Sequence, residues 1–144
     1  SGETLTASIG AAYAAKEPWF GYYWTPSLVM GKFPMVQVDL GPHDPSKQAC
    51  NSDKDCATPT MQSWPSSVVT TVVTSEFESS HPAETDLMRN LSFTNEMMNS
   101  LLAWKDAECS SVDETAVYLL STQDELWGSW INDAARAKLA ALLQ

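Results

Sequence analysis

Val68–Val73, read Val-Val-Thr-Thr-Val-Val, is the stretch that most narrows the fold. A run of β-branched residues is stiff at χ1 and suits a pleated surface better than a helix. It predicts a strand, and a strand needs a sheet around it. Two other stretches have the same character. Trp19–Trp24 is aromatic, follows Pro18 and reads as a buried strand. Met35–Leu40 alternates enough to be another. Thr25-Pro26 ends the aromatic strand, and Pro26 can open a short helical turn that closes at Gly31.

The remaining pattern is helical. Leu5, Ile9, Ala12 and Tyr13 share one face of a helix that ends near Lys16. Pro82 can hold the first position of a helix running to about Asn90. Thr94 precedes a stripe of Met97, Met98, Leu101, Leu102 and Trp104, with Phe93 before it, and suits an N-cap. Ser111 with Glu114, and Thr122 with Glu125, both have capping-box spacing. A last helix carries Trp127, Trp130, Ile131 and Ala134 on one face and runs nearly to Gln144. The expected order is helix, strand, short turn, strand, long loop, strand, then four helices. Mixed strands and helices with long connections predict an α/β fold, a few-stranded mixed sheet covered by helices. So few strands suggest that part of the sheet lies elsewhere. A boundary falls near Trp64-Pro65, dividing a strand-and-loop region at 3–65 from a crossover strand and helices at 66–144.

Residues 41–63 form a long polar loop with Pro42, Pro45 and Pro59. Loops of that length inside compact domains are usually functional or pinned. Cys50 and Cys56 lie within it and suit a local disulfide, which fits an oxidising compartment. Free thiols are the alternative. Zinc is disfavoured, because there is no second cysteine pair and His43 and His81 are scattered. Cys109 stands alone. Ser1-Gly2 reads as a tag remnant or the start of a shortened chain.

The net charge of −10 repels phosphate backbones and anionic lipid, so neither nucleic acid nor direct membrane insertion is expected. It suits cationic ligands, a salty habitat or plain solubility. No run approaches the roughly 18 apolar residues of a membrane span. Enzyme signatures are weak. There is no Gly-x-Ser-x-Gly elbow, phosphate loop or His-Glu-x-x-His, and no histidine is near Cys109 in sequence. Asp53-Lys54-Asp55 lacks calcium-loop spacing and reads as a solvated turn.

Of six tryptophans, Trp104, Trp127 and Trp130 fall on helical stripes and suit core packing. Trp24 ends a predicted strand, where an α/β sheet presents its ligand crevice. Its indole could face a cation through the π-cloud, at roughly 0.5–2 kcal/mol. Core packing remains the competing reading there too.

At Trp19-Phe-Gly-Tyr-Tyr-Trp-Thr-Pro26 the chain resembles the substrate-binding proteins of ABC importers for glycine betaine, proline betaine and choline. Those proteins carry a helix, a Lys-x-Pro turn, and an aromatic strand ending in Trp-Thr-Pro. Ala14-Ala-Lys-Glu-Pro18 and Trp24-Thr25-Pro26 stand here in that order. The similarity resumes at Trp64-Pro65 and Val68–Val73, and continues through His81-Pro82-Ala83, Leu91-Ser-Phe-Thr94 and Trp127-x-x-Trp130, leaving out the loop at 41–60. The resemblance implies the C-terminal half of a two-lobed type II periplasmic-binding fold. It implies a quaternary ammonium ligand held in an aromatic cage, to which Trp24 contributes, with Tyr23 and Thr25 beside it. Trp64 could wall the cleft or pack near a hinge. It further implies delivery to the importer's membrane subunits, an extracytoplasmic or periplasmic location, no catalysis and no cofactor. Relatives often place a second aromatic soon after Trp-Thr-Pro, where this chain has Ser27, Leu28 and Val29. A half-protein would expose apolar surface and associate with itself. The other readings are a standalone sensor or interaction domain, or a thiol hydrolase using Cys109.

Overall fold

The computed structural model describes residues 2–143; Ser1, with its tag-remnant reading, and Gln144, near which the last helix was expected to end, lie outside the described residues. Nine helices form among the described residues, and no strand does. In chain order they are α1 (Gly2–Ala15), α2 (Leu28–Lys32), α3 (Pro45–Asn51), α4 (Ser75–Ser80), α5 (Pro82–Asn90), α6 (Asn95–Ala107), α7 (Val112–Thr122), α8 (Asp124–Gly128) and α9 (Asp133–Leu142).

The expected α/β class is therefore overturned, and with it the sheet of a type II periplasmic-binding fold. Residues 19–24, 35–40 and 68–73 lie outside every helix but pair with nothing as strands. β-propensity expresses packing on a pleated, half-buried surface, and these residues have no such surface. Val69 is 92 % exposed, Val68 and Val72 are nearly as open, and Phe20 is 81 % exposed. An extended segment in water satisfies its backbone with solvent, and β-branching alone supplies no partner strand.

Where the capping chemistry was strong, the helices formed where they were read. Thr94 accepts from the Met97 N–H at 3.2 Å at the start of α6. Ser111 and Glu114 make both bonds of a capping box at the start of α7. The second proposed box fails. The Thr122 hydroxyl donates back to the Tyr118 carbonyl at 2.8 Å, and α8 starts after Gln123 with no side-chain cap. The expected last helix is broken, with α9 starting anew behind Asn132, whose side chain accepts from the Ala135 N–H.

The chain divides into two compact units. In the first, residues 2–35 join 71–143. Its buried apolar residues are Ile9 on α1, Val29 on α2, Trp127 on α8 and Trp130 just after α8. The Trp127 indole N–H donates to the Leu120 carbonyl at 2.7 Å, and Phe93 meets Trp130 edge-on at 5.1 Å. Trp104 on α6 stacks on Tyr118 of α7, with centroids 3.8 Å apart. Arg89 on α5 pairs with Glu78 on α4 and with Asp86.

The second unit is Val36–Thr70. It holds α3, inside the segment read as loop; Asp44 caps it and Pro45 takes its first turn. The Asn51 amide clamps Thr60 twice, donating to its carbonyl at 2.8 Å and accepting from its N–H at 2.9 Å. Gln62, only 6 % exposed, accepts from the Asp44 N–H at 2.8 Å. Cys50 and Cys56 are bonded to each other. Gln62 is the buried residue of this unit, so polar clamps and a covalent tie take the place of an apolar core.

Candidate functional site

Ser27 begins the local order around Trp24. Its backbone is extended and its hydroxyl accepts from the Met30 N–H at 3.3 Å, which caps the five-residue α2. Such a short helix needs tertiary support. It receives that support from α6. Gly31 sits so close to α6 that a Cβ there would overlap the Asn99 carbonyl and come 2.9 Å from the Ala103 Cβ. Only glycine permits that approach. Lys32 closes the contact with an ion pair to Asp106 at 2.7 Å.

Asn99 projects from the same face of α6 toward the loop that precedes α2. Its Oδ1 accepts from the Ser27 N–H at 2.7 Å and from the Thr25 hydroxyl at 3.3 Å. Its Nδ2 lies 3.2 Å from the same hydroxyl and donates to it. On the other side of Trp24, Tyr23 shares a hydrogen bond of 2.9 Å with the Thr6 hydroxyl on α1. Pro26 follows a cis peptide bond.

Trp24 stands between these anchors. Its indole stacks on the Tyr23 ring, with centroids 4.4 Å apart and planes 9° from parallel. It is 50 % exposed, and the phenol beneath it is half-buried. The pair therefore offers an aromatic face backed by a second ring. Such a face attracts a cation electrostatically without a hydrogen-bond donor on the ligand. The expected position at a sheet rim is corrected: Trp24 lies on a loop between α1 and α2.

The other expected residues divide. Thr25 and Tyr23 flank Trp24, and their hydroxyls engage Asn99 and Thr6. Trp64 belongs to the second unit and is 60 % exposed. Cys109 is an exposed free thiol at positive φ, and its Sγ donates to the Asp106 carbonyl at 3.8 Å. A groove of about 270 Å³ lies between α6 and α7, lined by Phe93, Met97, Leu101, Tyr118 and others, none of them an expected site residue. Among the described residues no group of His, Cys, Asp or Glu is arranged to hold a metal, and no helix is long and apolar enough to cross a membrane.

Reading by sequence did not single out Asn99 or Thr6. Polar residues on helices usually face water, so neither carried a signal. Gly31 was expected only as the close of the turn after Pro26; its close approach to α6 carried no sequence signal.

No curated protein sequence matches the chain. Residues 1–122 match the family described as the substrate-binding domain of the ABC-type glycine betaine transport system. That stretch includes the loop at 41–60, which the resemblance had left out, and stops short of Trp127-x-x-Trp130. It spans far more than half of the chain and contains every element around Trp24, so the chain belongs to this family of ABC-transporter substrate-binding domains.

Proposed function

We propose that the chain binds glycine betaine or a related quaternary ammonium osmolyte at the Trp24 face, for delivery to the membrane subunits of an ABC importer outside the cytoplasm. One observation carries this reading beyond the family: a half-exposed indole lies stacked on a half-buried phenol, between two hydrogen-bonded anchors. A quaternary ammonium donates no N–H bond, so its charge is met by π-faces or by carboxylates. A carboxylate also attracts hydrated sodium and potassium, whereas an aromatic wall favours a bulky, weakly hydrated cation. The acidic balance of the chain, −10 overall, draws cations toward it.

The importer's own subunits are proposed as the protein partner. The reading is of a binding module without catalysis and without a cofactor. Calorimetric titration with glycine betaine, choline and carnitine tests it. Heat of binding for at least one methylated cation, and none for glycine, is the expected result. A flat titration across the panel would favour an interaction domain, which draws some support from the open Val68, Val69 and Val72.

A further inference from the structure

We infer that Asn99 is the positioning residue of the Trp24 face: from α6 it holds the loop that presents the indole, without touching a ligand itself. This rests on the quaternary ammonium reading above for its purpose, but not for its geometry.

Three observations carry it. First, Asn99 engages the loop on both sides of Pro26, through the Thr25 hydroxyl and the Ser27 N–H. An N–H donor at 2.7 Å from Oδ1 fixes which way the amide points, so Nδ2 is left to meet the Thr25 hydroxyl. Second, the helix behind the loop is seated against the same residue, because Gly31 lets the α2 backbone lie on the Asn99 carbonyl. Main chain and side chain of one residue thus locate both the loop and the helix it enters. Third, the opposite side of Trp24 is tied to α1 by the bond between Tyr23 and Thr6. Trp24 is thereby held between two helices that are distant in sequence. Preorganising a contact surface raises affinity by removing the ordering cost at the moment of binding. The Thr25 hydroxyl serves this anchor, which assigns Thr25 to holding the loop.

The test separates positioning from ligand choice. In the full chain labelled with ¹⁵N, the indole N–H signal of Trp24 is assigned by its loss in Trp24→Phe. In ligand-free Asn99→Ala that signal should shift or broaden, while those of Trp127 and Trp130 stay in place. Glycine betaine affinity should fall about tenfold or more. Asn99→Asp keeps the acceptor for Ser27 and should leave the Trp24 signal near its original position. If Asn99→Ala does not fold, Thr25→Val removes one arm of the anchor and should move the same signal. An unmoved Trp24 signal overturns the inference, as does a shift of all three indoles together, or a disordered Trp24 that still binds betaine at full affinity. A wild-type chain that gives no heat with betaine sinks the ligand reading alone; the ligand-free Trp24 signal still decides the anchor.

Discussion

Two tryptophans show how environment sets the role of one residue type. Trp127 is buried to 4 % exposure, and its N–H is bonded to Leu120. Trp127→Ala should cost about 3–5 kcal/mol of stability, read by denaturant unfolding, because it empties a filled space and orphans a carbonyl. Trp24 is half open and leaves no enclosed cavity. Trp24→Ala should barely change the melting temperature, yet weaken betaine binding by about 1–2 kcal/mol. Trp24→Phe keeps a ring and should cost less. Unfolding by Trp24→Ala, with normal binding in what stays folded, would return Trp24 to the core. The helical stripe expected to bury Trp127 does bury it, whereas Trp24 was expected at the end of a strand that does not form. The error came from reading Trp19–Trp24 as a buried strand, whereas Phe20, Tyr22 and Trp24 are exposed.

At the scale of elements, the long helices and the short turn ending near Gly31 were legible, whereas α3 and α4 were not, although both have capped starts. α5, α6 and α7 begin at Pro82 and behind Thr94 and Ser111, as their caps dictate. Ser111→Ala should destabilise the chain by about 1 kcal/mol in a thermal melt. Hydrogen bonds from the Ser111 N–H and hydroxyl hold the Glu114 carboxyl below its ordinary value of 4.5. A carboxyl with a depressed folded pKa contributes stability above its unfolded pKa and loses it as pH falls through the folded one. Acid should therefore loosen the start of α7 only below about pH 4.5, and Glu114→Gln should flatten that dependence. Asp44 behaves alike at α3, held low chiefly by the Ser46 hydroxyl. α3 itself escaped notice because Pro42, Pro45 and Pro59 spoke for a loop, although Asp44-Pro45 is a helix-start signature. The Val68–Val73 run misled for the opposite reason. Its propensity is real, but nothing pairs with it. Gly31→Ala should unseat α2 from α6 and cost about 1–3 kcal/mol, measurable by denaturant unfolding.

Across the molecule the two units differ in how they are held. Val36–Thr70 has a buried glutamine and a bond between cysteines six residues apart. In the chain-entropy account that ring is worth about 2 kcal/mol, so Cys50→Ser with Cys56→Ser should leave this segment the first to exchange its amide hydrogens. Each unit leaves apolar residues open, Phe20 and Val72 in the first and Val68 and Val69 in the second; this favours association, and we expect light scattering to report dimers or larger species at high concentration. A clean monomer there would count against this. The central claim is that an aromatic face reads a cation's charge, and shape alone cannot account for that. It is tested most directly by titrating glycine betaine against its carbon isostere, 3,3-dimethylbutanoate, which keeps the carboxylate and the three methyl groups but lacks the positive charge. Betaine should bind about tenfold or more tightly than the isostere, and Trp24→Ala should erase most of that difference. Equal affinity for the two, or a preference that survives Trp24→Ala, would contradict the account.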